Sequence, residues 1–88
     1  NILKLYQDYR IPTPPPGHKH EGLQKGWVNT SCPWCTGNFG YHLGFCINPS
    51  SRYFNGFYCY RCGGKKTFAT LARILNVTED QARDIARQ

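Results

Sequence analysis

Residues 32–35 read Cys32-Pro33-Trp34-Cys35 and residues 59–62 read Cys59-Tyr60-Arg61-Cys62, with 23 residues between the two pairs. Two thiols separated by two residues can chelate one ion from a single tight turn, and two such turns supply a tetrahedral set of four sulfurs. Gly63-Gly64 follows the second pair and lets the chain fold back beneath the ion. Soft thiolates select zinc, with an iron–sulfur cluster as the rarer option. A redox role for Cys-x-x-Cys needs a βαβ setting, and no such pattern surrounds these pairs. The reading is one structural zinc held by Cys32, Cys35, Cys59 and Cys62. His18, His20 and His42 are alternative ligands only if a cysteine is not used. Cys46, the fifth cysteine, reads as a small side chain packed on its strand.

A metal of this kind suits the length. The chain has 88 residues, enough for one domain, and domains this small bury so little apolar surface that many add a metal or disulfides. Cysteines in close pairs, outside a secretory context, read as metal ligands rather than disulfide partners. A chain that begins at Asn1 and contains no Met reads as a piece of a longer protein. It carries neither a signal-peptide pattern nor an apolar run of the roughly 20 residues that span a bilayer. The expectation is a cytoplasmic domain without a membrane partner.

Around the pairs the hydrophobic period changes twice. Residues 1–11 place Ile2, Leu3 and Tyr6 near helical spacing, and Ile11-Pro12 ends that short helix. Residues 12–26 form a loop stiffened by Pro14, Pro15 and Pro16 and made basic by His18, Lys19, His20 and Lys25. A zinc-ribbon segment over 27–66 follows. Trp27 to Thr30 reads as a strand, and 41–47 alternates, with Leu43, Phe45 and Ile47 on one face and His42, Gly44 and Cys46 on the other. Asn48-Pro49-Ser50-Ser51 signals a turn. Residues 52–61 are rich in β-formers, and Asn55-Gly56 within them reads as either a hairpin turn or a bulge. Over 67–88 the spacing becomes helical. Phe68, Leu71, Ala72, Ile74 and Leu75 form one face, Asn76 is a stop, and Thr78-Glu79-Asp80-Gln81 is a capping box opening a second helix with Ala82, Ile85 and Ala86 as its apolar face. The fold class is small α+β: an antiparallel sheet with a short N-terminal helix and C-terminal helices.

The side chains near the metal suggest a partner. Net charge is +6, from 11 basic and 5 acidic residues, which favours an acidic partner such as nucleic acid. Arg52, Tyr53, Phe54, Phe57, Tyr58, Tyr60 and Arg61 mix aromatic and basic groups within ten positions, and Lys65 and Lys66 follow. Aromatic faces stack unpaired bases while Lys and Arg hold phosphates, a combination suited to a single strand. Strict alternation turns about half of these aromatics inward. Arg52, Tyr53, Tyr58, Tyr60, Arg61 and Lys65 are the candidate contacts, with His42 beside them.

Gly26-Trp27-Val28-Asn29, Cys32-Pro33-Trp34-Cys35, Tyr41-His42-Leu43-Gly44-Phe45 and Tyr58-Cys59-Tyr60-Arg61-Cys62-Gly63, with Gly17-His18-Lys19-His20 before them, resemble the N-terminal zinc-binding domain of bacteriophage and bacterial-type DNA primases over residues 1–76. Cys35 stands where many bacterial members have histidine, as in phage-type members. The resemblance implies a module that binds single-stranded template DNA, recognises the priming site and assists RNA primer synthesis for a separate primase catalytic domain during DNA replication, with a replicative helicase as a further partner and, if phage-encoded, the host cytoplasm as its location. It implies template contacts on the strand entering the second knuckle, Arg52 to Tyr58. About nine residues, Asn48 to Gly56, stand where many relatives have a shorter turn. Asp8, Glu21, Glu79, Asp80 and Asp84 make no two-metal cluster, and no phosphate-cradling Gly-Lys-Ser/Thr motif is present, so the chain is not expected to be catalytic alone. The alternatives are a protein-interaction zinc ribbon that docks a replication partner without touching DNA, and a complete small nucleotidyltransferase.

Overall fold

In a computed structural model, residues 1–19, 21–22, 25–35 and 40–87 are described. The order is helix α1 (Ile2–Asp8), strands β1 (Trp27–Thr30), β2 (Leu43–Cys46), β3 (Phe57–Cys59) and β4 (Gly63–Lys65), then helices α2 (Thr67–Leu75) and α3 (Glu79–Ala86). The strands form one antiparallel sheet in the order β1-β2-β3-β4, so the architecture is the expected small α+β fold. No helix among the described residues is long and apolar enough to cross a membrane.

Register decides what each sheet face carries, because cross-strand partners share a face. Val28 pairs with Phe45, Phe45 with Phe57, and Phe57 with Lys65; Thr30 pairs with Leu43, Leu43 with Cys59, and Cys59 with Gly63. These rows point to the core, where Leu43, Phe57, Cys32 and Cys59 pack with Leu71, Ala72 and Leu75 of α2 and Ala82 of α3. Ile2, Leu5 and Ile11 from the N-terminal segment cover the edge of that cluster. The other face carries the row Asn29, Gly44, Tyr58, Gly64.

The helices end where local chemistry requires. The Asn1 side chain caps α1 by accepting from the Lys4 amide at 3.2 Å. Asn76, in the left-handed region at φ 58°, closes α2. The capping box of α3 is formed in both directions, Gln81 N–H to Thr78 Oγ1 at 3.1 Å and Thr78 N–H to Gln81 Oε1 at 2.9 Å. Ala82 is buried and Ile85 half-buried, but Ala86 is exposed, so the apolar face of α3 is narrower than its sequence suggests.

The β-rich stretch 52–61 yields only the three-residue β3. Local turn bonds to Ser51 take the amides that a longer strand would use: Tyr53 N–H donates to Ser51 Oγ at 3.1 Å and Phe54 N–H to the Ser51 carbonyl at 3.1 Å. Asn55-Gly56 is a bulge rather than the hairpin turn. Asn55 sits at φ 64°, its N–H donates to the Cys46 carbonyl at 2.9 Å, and Cys46 N–H donates to the Gly56 carbonyl at 3.0 Å, so two residues face one. The connection between β2 and β3 is therefore a long loop, and it is braced. Ile47 N–H bonds the Gly26 carbonyl at 2.8 Å, and a Cβ on Gly26 (φ 85°) would meet Asn48 Cβ at 2.7 Å, so only glycine admits the loop there.

Residues 12–26 run as a loop as far as they are described, tied to β1 by Thr30 Oγ1–H to the Pro12 carbonyl at 2.7 Å. His20, and the chain between Cys35 and Gly40, lie outside the described residues.

Candidate metal centre and open sheet face

Both knuckles converge on one point. The sulfurs of Cys32, Cys35, Cys59 and Cys62 all lie within 4.8 Å of one another. Cys32–Cys62 is 3.7 Å, Cys35–Cys59 3.5 Å and Cys35–Cys62 3.3 Å. Four thiolates bound tetrahedrally at about 2.3 Å stand about 3.8 Å apart, so the donor set fits a single ion. The four cysteines are positioned to coordinate one metal in a zinc-ribbon-like arrangement. Cys32 and Cys59 are buried and Cys62 is exposed.

The backbone prepares the sulfurs for negative charge. Arg61 N–H donates to Cys59 Sγ at 3.4 Å. Burial pushes the Cys59 thiol up, but the amides of Arg61 and Cys62 and the thiols of Cys62 and Cys35 outweigh it and bring it down to about 7. Without an ion Cys32 and Cys35 resist ionisation: burial raises Cys32, and the hydrogen bond to Cys62, then burial, raises Cys35. A cation would reverse that balance, because its charge stabilises every thiolate it binds. Four protein ligands leave no open coordination position, so such an ion serves the fold rather than a reaction.

Trp34 in the first knuckle docks the metal loop on α2. Its Nε1–H donates to Thr70 Oγ1 at 3.1 Å, and the Arg73 guanidinium lies over its ring at 4.1 Å. The sequence supplied Trp34 as part of a motif but not as this tie.

On the opposite face of the sheet the candidate contact residues gather in part. Trp27, Gly44, Tyr53, Tyr58 and Tyr60 line an open concavity of about 320 Å³. Tyr60 is 65% exposed, Tyr53 43% and Tyr58 41%. Ring centroids of Trp27 and Tyr53, and of Tyr53 and Tyr58, are each 6.1 Å apart, within the range of aromatic pairing. Arg52 stands over Tyr53, 4.9 Å from its ring centre, with its Nη2 donating to the Tyr53 hydroxyl at 2.7 Å. Arg61 is exposed in the second knuckle, next in sequence to Tyr60. His42 is half-buried, its carbonyl accepting from Tyr60 N–H at 3.0 Å. Lys65 lies apart from this group: it shares the register row of Phe57, and its Nζ donates to the Cys62 carbonyl at 3.2 Å.

Two members of the concavity were absent from the candidate contacts, Trp27 and Gly44. A Cβ on Gly44 would stand 2.7 Å from Trp27 Cε3 and 2.9 Å from Asn29 Oδ1, so the glycine exists to let the indole lie across the sheet. A lone glycine inside an alternating strand is the signal for such close approach.

Compared with family models, curated proteins and solved structures, the chain matches none.

Proposed function

We propose that this chain is a zinc-ribbon module that binds a single strand of nucleic acid on the open face of its sheet, and that it serves a DNA primase as the part that reads template DNA. One observation carries the binding half. Tyr58 stands in its register row between Gly44 and Gly64, and a Cβ on Gly64 would meet nothing within 4 Å. An exposed tyrosine with open space on its Gly64 side and the Trp27 indole over Gly44 on the other is a platform with room beside it, and stacking on such rings is worth about 1–3 kcal/mol per base. Tyr53 and Tyr60 beside it and a net charge of +6 favour a polyanion with exposed bases over a duplex.

The primase half rests on the resemblance of the two knuckles and the His42-Leu43-Gly44 strand to that family. In this reading Cys32, Cys35, Cys59 and Cys62 hold one zinc that fixes both knuckles, Tyr58, Tyr60, Tyr53 and Arg52 engage the template, and primer synthesis belongs to a separate catalytic domain. Four of the five acidic side chains fit that division of labour: Asp8 pairs with Lys4 and Asp84 with Arg87, while Glu79 and Asp80 occupy the first turn of α3.

The test is a titration of the zinc-loaded chain with a fluorescent single-stranded DNA at several salt concentrations, alongside the same sequence as a duplex. Counterion release requires the affinity for the single strand to fall with salt, by about 0.7 in the log–log slope per phosphate neutralised, and the duplex to bind more weakly. Absence of single-strand binding at low salt rejects the reading in favour of a ribbon that docks only protein.

A further inference from the structure

We infer that the loop between β2 and β3 builds one wall of a slot for a single unpaired nucleobase, with Arg52 at its rim to hold the adjoining phosphate. This rests on the single-strand reading above and goes beyond it, since it assigns one base to one place and makes a loop the determinant.

The slot is lined almost wholly by aromatic rings. Tyr58 and Tyr60 come from β3 and the turn after it, Trp27 comes from β1 and lies against Gly44, and Tyr53 comes from the loop. Its volume, about 320 Å³, is at the small end for a ligand site, which suits one planar heterocycle rather than a folded peptide. Tyr53 alone among the lining residues comes from the loop; the others belong to the sheet or its second knuckle. It is held in place from two sides: its N–H donates to Ser51 Oγ at 3.1 Å, and its carbonyl accepts from Gly56 N–H at 2.8 Å. The loop itself is pinned at Gly26 and at the bulge on Cys46. A wall fixed before the ligand arrives loses less entropy on binding.

Charge completes the argument. Arg52 stacks on the Tyr53 ring at 4.9 Å and bonds its hydroxyl, which brings a guanidinium beside an otherwise aromatic slot while the rest of its donors remain for a phosphate. A cation stacked on a lining ring offers a phosphate contact beside the base contact, as a nucleotide requires.

The experiment scans a single-stranded DNA octamer in which each nucleotide in turn is replaced by an abasic one, measuring affinity by fluorescence anisotropy with the zinc-loaded chain and its Tyr53→Ala, Tyr53→Phe, Arg52→Gln and Tyr58→Ala variants. Zinc content and circular dichroism verify that each variant is folded. The inference expects one abasic position to weaken wild-type binding roughly ten-fold, and that penalty to disappear in Tyr53→Ala but persist in Tyr53→Phe. It expects Arg52→Gln to lower the salt slope by about 0.7. An abasic penalty of equal size in wild type and folded Tyr53→Ala overturns the slot, while binding that still depends on Tyr58 leaves the single-strand reading standing. Absence of wild-type binding to the unmodified octamer removes both.

Discussion

Trp34 and Thr70 are joined by a 3.1 Å hydrogen bond from the indole to a hydroxyl that is fully buried on α2. One residue belongs to the cysteine knuckle and the other to the helix that closes the core, so a directional contact ties these two parts of the fold together. Trp34→Phe keeps a ring for Arg73 to cover but leaves the Thr70 hydroxyl without that donor. The expected cost is about 1–3 kcal/mol, a fall in melting temperature of several degrees for a domain of this size. Thermal unfolding followed by circular dichroism measures it, and an unchanged midpoint rejects the tie.

Removing the metal should unfold the domain rather than loosen one loop. Cys32 and Cys59 are members of the core cluster, and a structural ion contributes its binding free energy directly to folding. Chelation at neutral pH, with zinc loss verified, is expected to abolish the circular dichroism of the sheet and helices and to shift the combined emission of Trp27 and Trp34 toward that of solvated indoles. Acid should act in the same direction. Zinc binding displaces thiol protons, so affinity falls as pH falls, and zinc release on acidification should coincide with unfolding. Retention of the folded spectrum by the metal-free protein would contradict this.

Gly44 and Gly64 flank Tyr58 in the same row, yet substitutions at them should behave differently. Alanine at Gly44 drives a methyl into the Trp27 ring, and overpacking of that kind costs about 1–3 kcal/mol. Alanine at Gly64 meets open space and should leave stability within about 0.5 kcal/mol. Denaturant unfolding of the two variants side by side checks the contrast; equal losses would mean that the indole does not lie over Gly44.

Tyr6 is 1% exposed, and its hydroxyl has no hydrogen-bond partner among the described residues. Phenylalanine at this position should be as stable as tyrosine or more so, by up to about 1 kcal/mol, because a buried unmatched hydroxyl carries a desolvation cost. Burial also lifts the phenol above its ordinary value near 10. The unfolded chain therefore loses the proton first, and the contribution is intact below pH 10 and lost as pH rises beyond it. Tyr6→Phe should flatten that alkaline decline. A loss of more than about 1 kcal/mol in Tyr6→Phe would show that the hydroxyl has a partner.

How much of this was legible in the residues depended on whether a local rule governed them. The cysteine spacing determines chelation without reference to the rest of the chain, and the four sulfurs converge as it requires. The C-terminal helices follow from period and from the box at Thr78 and Gln81, both local. The alternation from Leu43 to Cys46 assigned both faces of β2 correctly. The stretch 52–61 misled because β-forming side chains say nothing about competition for backbone amides, and Ser51 won that competition at Tyr53 and Phe54. The docking of Trp34 on Thr70 joins positions 36 residues apart, and no periodicity encodes such a pairing. The open face was legible only in part: the aromatic and basic composition of 52–61 singled out Tyr53, Tyr58 and Tyr60, whereas Trp27 joins them through register, and register placed Lys65 in the row of the core.

The most direct test of the account is the affinity of zinc-loaded Tyr58→Ala for single-stranded DNA at low salt, measured beside the wild type and with matched zinc content. Tyr58 is exposed between two glycines, so its truncation should spare the fold. The account predicts binding weakened by about 1–3 kcal/mol with the salt dependence retained, since the phosphates are held by other residues. Equal affinity in the folded variant and the wild type would contradict it.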